Sequence, residues 1–444
     1  MLLLSNLILP WWSALPFVLL LSLIVIAPIF LSKFWHHYYK QIAVVMGLLV
    51  ILYFRFGLND YHTPIETAVE YLSFVIFLGA LFVAAGGIYI HADFKVTPKV
   101  NVLFLFLGAV VSNIIGTTGA AMLLVRPFIR LNKYKIAPYH LVFFIFIVCN
   151  VGGALTPIGD PPLFLGYLKG VPFSFTFINL LPYWFLAIAL LCSIFYVLDV
   201  KNKLSNEVDD IKSSGGIIIK GKRNLIWLFV VVGAVFLDPN FHHWLPYISF
   251  GEHKISFVRE LIQLSAAFIC YKNANKTAMN SNGFEFEPIL EVVFLFFGLF
   301  FTMMPALKLI AGYAVTPAGQ EMFTTNTMYW ASGFFSSFLD NAPTYLNFLT
   351  AAMAKFGKDI NAPEEVIAFA TGENIAYVIS ISLGSVFFGA MTYIGNGPNL
   401  MVKSIAENLG VEMPSFVSYI TKFALVYLLP VLVVVFCVMK FCMN

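Results

Sequence analysis

Two carboxylates stand inside otherwise apolar stretches of this 444-residue sequence. Asp160 lies in the segment Thr156 to Pro162, and Asp340 directly precedes Asn341 in a second apolar stretch. A charge inside a bilayer costs at least about 2.5 to 3.5 kcal/mol, so such residues are rarely without a function. A proton and a cation compete for the same carboxylate oxygen, and that competition is a sufficient mechanism for ion exchange. The alternative is an ion pair that only stabilises the fold.

Amide and hydroxyl side chains cluster near both positions. One apolar stretch contains Ser112 to Gly119, and the other contains Ser336 to Thr344. Neutral oxygens of this kind are ligands for hard cations, at about 2.3 to 2.6 Å for calcium, although they also serve as helix caps. We place Asn113 and Asn341 at equivalent positions of two related copies, and this pairing favours a binding role.

The predicted ion- or substrate-binding residues lie in four polar clusters inside apolar segments. They are Ser112, Asn113, Thr117, Thr156, Gly159, Asp160, Asp340, Asn341, Thr344, Thr392, Gly395 and Asn396. Four of them, Asp160, Asp340, Asn113 and Asn341, are the predicted sodium ligands. As structural partners for the two aspartates we considered Lys169 and Arg126. His140 and Glu373 are weaker candidates for relaying protons.

The composition is that of a chain that lives in lipid. Hydrophobic residues make up 60% of the sequence, charged residues only 11%, and the mean hydropathy is +0.86; soluble chains carry roughly 25% charged residues. The net charge of +3 shows no concentrated basic patch, which excludes a nucleic-acid partner. The five cysteines have no metal or disulfide spacing, so we expect no cofactor. The first helix lacks the features of a cleaved signal peptide.

Ten apolar runs have the length of membrane spans. They are 11–32, 41–57, 68–90, 139–168, 177–199, 224–237, 257–271, 288–310, 374–408 and 416–440. Two more runs, 100–130 and 328–354, carry polar centres and are predicted to be re-entrant hairpins. This topology collects most Lys and Arg residues on one face, which the positive-inside rule makes cytoplasmic.

The chain contains an internal repeat. Gly153 to Asp160 matches Gly389 to Asn396 with five identities in eight, and Pro162 then matches Pro398. Both segments carry Gly and Pro at mid-span, where only protein or a water-filled cavity tolerates broken backbone. The predicted fold is an all-α polytopic membrane protein built as an inverted repeat. Each unit has five transmembrane helices, one of them broken at the midplane, and one hairpin.

The predicted division places the first repeat at 1–200, a cytoplasmic linker at 201–223 and the second repeat at 224–444. In the first repeat the hairpin covers 100–130 and the broken helix 139–168; in the second they cover 328–354 and 374–408. Each copy supplies one carboxylate. Inverted repeats with broken helices are the recurrent plan of secondary transporters.

At these residues the chain resembles the ion transporter superfamily over nearly its whole length. Ser112-Asn113 and Leu339 to Thr344 look like its hairpin-tip signatures, and Thr156 to Pro162 and Thr392 to Asn399 look like its unwound loops. The resemblance is strongest to the branch of NhaD-type sodium/proton antiporters and citrate transporters, which is related to arsenite permeases and dicarboxylate carriers. The hairpins depart from the Ser-Asn-Thr triplets of the dicarboxylate carriers, since Ile114 and Ala342 replace the third residue.

Two functions follow as hypotheses. The first is sodium/proton antiport by alternating access, motivated by two buried aspartates and few basic groups nearby. The alternative is sodium- or proton-coupled transport of citrate, a dicarboxylate or another anion. An enzyme is disfavoured because no catalytic motif has usable spacing. The expected location is the inner or plasma membrane of the cell, with the lipid bilayer and a small ion or carboxylate as partners. A homodimer is compatible with the sequence.

Overall fold

A computed structural model gives the architecture. It describes residues 9–93, 96–133, 135–202, 216–237, 244–250 and 253–443. Nearly all regular structure in these ranges is helical, as an all-α polytopic membrane protein requires. The exceptions are two small antiparallel sheets, β1 with β2 and β3 with β4. Their strands are β1 Tyr89–Asp93, β2 Gly216–Lys220, β3 Ile248–Phe250 and β4 His253–Ile255.

The helices follow the same order in the two parts of the chain. The first part contains α1 Leu15–Phe30, α2 Ser32–Leu52, α3 His62–Gly86, α4 Pro98–Leu131, α5 Pro138–Ile147, α6 Pro161–Lys169 and α7 Phe173–Lys201. The second contains α8 Lys222–Ala234, α9 Val258–Lys272, α10 Lys276–Ser281, α11 Glu287–Ala314, α12 Pro317–Met322, α13 Thr325–Phe338, α14 Asn341–Lys355, α15 Pro363–Thr371, α16 Ile375–Phe387, α17 Gly397–Asn408, α18 Phe416–Tyr419 and α19 Leu429–Met443.

Eight helical stretches in the described part of the chain are long and apolar enough to cross a membrane. A ninth results if the bent pair Pro363–Thr371 and Ile375–Met391 is one span. The predicted crossings at 224–237 and 257–271 correspond to α8 and α9, which have only 13 and 15 residues. At 1.5 Å per residue each is roughly 20 Å long, short of a ~30 Å hydrocarbon core. Ten full crossings therefore stay a prediction.

Helix α4 doubles back on itself, and we refer to it as hairpin 1. Gly116 has φ 75° and ψ 156°, a conformation that a residue with Cβ rarely adopts. Near the two ends of α4, the side chains of Asn101 and Asn132 exchange hydrogen bonds of 2.8 and 3.0 Å. A straight helix would hold these residues more than 40 Å apart. The two arms therefore run side by side.

The pair α13 and α14 forms hairpin 2 in the same way. The two helices are separated only by Leu339 and Asp340. At the open end, Lys355 Nζ donates to the carbonyl oxygen of Phe323 at 2.6 Å. The segments predicted at 100–130 and 328–354 thus each return to their starting end. Their depth in a bilayer remains a prediction.

Two further breaks interrupt the matched helices. The first break lies between α5 and α6, with a 3-10 turn at Val151–Leu155 followed by an irregular loop. The second break lies between α16 and α17, with a 3-10 turn at Phe388–Met391. Each loop leads into a helix with proline in its first turn, where proline fits because the first N–H groups of a helix have no partner.

Segments predicted to share one face contact one another. Strand β1 pairs with β2, and Arg130 Nη1 donates to the Tyr89 hydroxyl at 2.5 Å. Asn282 donates to the carbonyl oxygens of Gly86 and Ile88 at 3.0 and 2.5 Å. Most of the predicted linker 201–223 lies outside the described residues, and the orientation of this face relative to a membrane stays a prediction.

Candidate functional site

Asp160 is the centre of a buried polar cluster and is only 1% exposed. Its Oδ1 accepts hydrogen bonds from Thr117 Oγ1 at 2.9 Å and from Asn396 Nδ2 at 3.1 Å. Its Oδ2 accepts one from Asn341 Nδ2 at 2.6 Å. The three donors come from hairpin 1, the second break and hairpin 2. All four polar clusters predicted from the sequence therefore meet at one carboxylate.

A chain of amide side chains continues from Asp160 into the second break. Asn396 Nδ2 also lies 3.2 Å from Asn150 Oδ1, and Asn150 Nδ2 donates to Asn399 Oδ1 at 2.8 Å. Asn399 in turn donates to the carbonyl oxygens of Gly389 and Thr392. Asn150 and Asn399 are fully buried, and the sequence reasoning missed them as site residues. Their position beside the two matched loops was the signal that could have identified them.

Asn341 is the one donor to Asp160 that keeps an unused acceptor. Its side-chain Oδ1 is buried and has no hydrogen-bond partner. An unsatisfied buried acceptor costs about 1 to 3 kcal/mol, so its presence beside a carboxylate indicates a place for a proton donor or a cation. Oδ2 of Asp160 accepts a single hydrogen bond in the structure and can accept another contact.

Asp340 has a different environment from Asp160. It caps the N-terminus of α14, where its Oδ1 accepts from the backbone N–H of Ala342 at 3.0 Å. Its backbone carbonyl accepts from the Thr344 hydroxyl at 3.0 Å. The side chain is half-buried. The contacts of both Asp340 and Thr344 are those of a helix cap, while the neighbouring Asn341 reaches Asp160.

Ser112, Asn113 and Thr156 join hairpin 1 to the first break. Ser112 Oγ donates to the Val148 carbonyl at 2.7 Å, and Asn113 Nδ2 donates to that of Gly152 at 2.7 Å. Asn113 Oδ1 accepts from the backbone N–H of Leu155 at 2.8 Å. These contacts pair the backbone groups that a broken helix leaves free. Sodium ligation by Asn113 is not tested and stays a prediction.

The second half uses the same contacts at shifted positions, which corrects the predicted pairing of the asparagines. Thr156 Oγ1 donates to the Asn113 carbonyl at 2.6 Å, whereas Thr392 Oγ1 donates to the Ser337 carbonyl at 2.5 Å. Asn113 therefore corresponds to Ser337, and by the same register Asn341 corresponds to Thr117. The prediction was wrong because a backbone contact, not the residue type, defines the register.

Gly159 and Gly395 allow the loops to close tightly. A Cβ on Gly159 would lie 2.0 Å from the carbonyl oxygen of Gly153, and one on Gly395 would lie 2.6 Å from that of Gly389. The carbonyl of Gly159 accepts from the backbone N–H of Thr117 at 2.8 Å. Each glycine is thus required by close backbone approach.

The basic partners considered for the aspartates lie elsewhere. Lys169 pairs with Glu70 at 2.7 Å and donates to Asn361 at 2.8 Å. His140 Nε2 lies 3.2 Å from Asp199 Oδ1, in a separate buried cluster. In the described ranges neither Arg126 nor any other basic side chain is within ion-pair distance of Asp160 or Asp340. Glu373 is exposed.

A cavity of about 40 Å³ adjoins the site. It is bounded by α3, the tip of hairpin 1, the first break and the start of α11, and its lining includes Leu81, Phe82, Thr117, Thr118, Gly119 and Gly159. Thr117 thus has the cavity on one side and Asp160 on the other. The space gives the polar cluster a neighbour that is not filled by protein.

Apolar membrane-length helices around a charged centre, with four chain breaks meeting at it, define an integral multi-pass membrane protein of the transporter class. A model of the family described as "Putative citrate transport" matches residues 6–441, and the chain belongs to this family. No curated protein matches the sequence.

Proposed function

We propose that this chain is a cation-coupled secondary transporter of citrate or a related small carboxylate, and that Asp160 is its coupling-ion site. The carrying observation is that Asp160 accepts hydrogen bonds from three other chain breaks. Any change in its charge alters contacts with both hairpins and with the second break. The family description supports the carboxylate as substrate. The proposed location is the inner or plasma membrane.

The Asn341 amide can respond to the charge of Asp160. When Asp160 is ionised, Asn341 Nδ2 donates to Oδ2, as in the structure. When Oδ2 carries a proton, rotation of the amide presents Oδ1 as an acceptor for that proton. The unpartnered Oδ1 could equally ligate a sodium ion held by Asp160. Sodium and protons would therefore compete at one place, while Asp340, half-buried at the hairpin tip, stays a predicted additional ligand.

The proposed place for a substrate carboxylate is the N-terminus of α17. Helix N-termini favour anions, but α6 begins with Pro161 and Pro162, which carry no N–H groups. Helix α17 begins with Gly397, which is exposed and would meet nothing within 4 Å on its Cβ side. Asn396 directly precedes it. A carboxylate at Gly397 would thus lie next to the coupling site.

Sodium/proton antiport is the second candidate. It is favoured by the charges at the site, since Asp160 and Asp340 have no basic partner within ion-pair distance among the residues that the structure describes. Such a site attracts cations and repels a bare anion. A cation or proton on Asp160 removes that repulsion, and this is why carboxylate transport would require coupling.

Flux in proteoliposomes separates the two functions. Purified protein is reconstituted with an internal pH-sensitive dye, and sodium, lithium, potassium and citrate are added in turn. The proposal predicts citrate uptake that depends on a sodium or proton gradient and is lost in Asp160→Asn. Cation-evoked proton movement without any citrate uptake would reject it in favour of antiport.

A further inference from the structure

The second arm of hairpin 1 has one accessible stripe. From Ile115 to Asn132 every residue is buried except Thr118, Arg126 and Arg130. These three are separated by eight and four residues, so they lie on one face of the helix. Because the rest of the arm is enclosed by protein, the stripe is a polar surface inside the molecule and not part of a lipid-facing side.

The stripe leads toward the candidate site. Thr118 lines the cavity beside Asp160, together with Phe82. Phe82 packs against Phe284, with ring centroids 5.2 Å apart, and the Arg126 guanidinium lies against the adjacent Gly283. Arg126 is nine residues beyond Thr117, which corresponds to roughly 13 Å along the arm. It therefore lies farther along the same gap and not at the coupling site itself.

The positive charge on this stripe is not neutralised by the protein. In the described ranges no carboxylate lies within ion-pair distance of Arg126 or Arg130. Arg130 donates to the hydroxyl of Tyr89, a neutral partner. Arg126 is half-buried, and none of its guanidinium N–H groups has a described hydrogen-bond partner. A guanidinium with unused donors matches the two oxygens of a carboxylate.

We propose that Arg126 is a second binding site, which holds a carboxylate of the substrate on its way between Asp160 and the side of the protein that carries β1 and β2. The inference deepens the proposed function, because it names the anion-binding group on the access route. A route used by sodium would not have two unpaired guanidinium groups as its main accessible side chains. Arg130, one turn farther along, adds to the attraction for an anion.

The test compares Arg126→Gln and Arg126→Lys with wild type. Arg55→Gln is the matched control, since Arg55 is exposed in another part of the fold. Two quantities are measured: the citrate concentration for half-maximal uptake in proteoliposomes, and the thermal stabilisation of the purified protein by citrate. We expect Arg126→Gln to raise the half-saturating citrate concentration about tenfold, with a smaller rise in Arg126→Lys and none in Arg55→Gln.

The two readouts separate this inference from the proposed function. If wild type transports no citrate yet is stabilised by it, and Arg126→Gln removes the stabilisation, the Arg126 site stands while the transport proposal fails. If wild type transports citrate and Arg126→Gln changes neither readout, the Arg126 site is rejected and the transport proposal stands. Absence of both citrate transport and citrate stabilisation in wild type overturns both. Should Arg126→Gln misfold, Arg126→Lys with unchanged readouts also rejects the site.

Discussion

The two helix breaks have the same backbone and different charge. Asp160 precedes α6 with φ −143° and ψ 142°, and Asn396 precedes α17 with φ −153° and ψ 138°. Each loop begins with a threonine whose hydroxyl donates to a hairpin carbonyl. Asp and Asn have nearly the same shape, so the exchange alters the charge without altering the loop. The comparison shows how a duplicated unit can supply one carboxylate and one amide donor to a single centre.

The two hairpin tips differ more in backbone than in role. Gly116 turns hairpin 1 with φ 75°, while Asp340 turns hairpin 2 with φ −57° and caps α14. The residues that follow, Thr117 and Asn341, both donate to Asp160. The tips therefore deliver equivalent donors by different turns, and only the amide keeps a free acceptor.

Exchanging the charges of the two breaks should have the largest effect. Asp160→Asn is expected to lower gradient-driven citrate uptake at least 100-fold, because the coupling carboxylate is lost. Asn396→Asp should also impair uptake, since two carboxylates would then lie within hydrogen-bond distance. The double variant, Asp160→Asn with Asn396→Asp, restores one acid and one amide. We expect it to recover part of the uptake measured in proteoliposomes.

The swap also tests which copy must carry the charge. Equal inactivity of the double variant and Asp160→Asn, with normal folding by thermal melting, would show that the two breaks are not interchangeable. Full activity of Asp160→Asn alone would remove the carboxylate from the mechanism.

Changing the donors at the two hairpin tips should have an intermediate effect. Asn341→Ala removes a hydrogen bond to Asp160 and the proposed cation acceptor, so the sodium concentration for half-maximal uptake should rise about tenfold, the cost of roughly 1.4 kcal/mol. Thr117→Val removes a donor only and keeps the side-chain shape. Its expected rise is smaller, and equal effects would argue against a special role for the Asn341 acceptor.

The smallest expected effect concerns the two matched threonines. Thr156→Val and Thr392→Val each remove the hydroxyl that joins a break to a hairpin carbonyl, at a cost of about 1 kcal/mol in stability. Thermal unfolding of the purified variants measures both. Similar shifts are expected if the two contacts are equivalent. A large difference would show that one hairpin is held mainly by other contacts.

Much of the fold could be read from the sequence because lipid imposes simple requirements on it. Apolar runs of membrane length and the match of 153–160 with 389–396 predicted the long helices and both breaks. The short lengths of α8 and α9 were not predicted, since hydropathy does not indicate where a short apolar helix ends. The inverted arrangement of the two units remains a prediction.

The candidate site was predictable as a set of segments and not as a set of contacts. The sequence brought Asp160, Asn341 and Asn396 forward as polar residues in apolar surroundings. It paired Asn113 with Asn341, because alignment by residue type cannot account for the shift between the two hairpin tips. Asn150 and Asn399 were missed since a single asparagine near a loop carries no distinctive spacing.

The central claim is that occupancy of Asp160 and binding of the carboxylate are thermodynamically coupled. Calorimetric titration of purified wild type and Asp160→Asn with citrate, with and without sodium and at two pH values, measures this coupling. In wild type, sodium or protons should change citrate affinity at least about fivefold, while in Asp160→Asn the affinity should be independent of both. Equal coupling in the two proteins, or no coupling in wild type, would contradict the account.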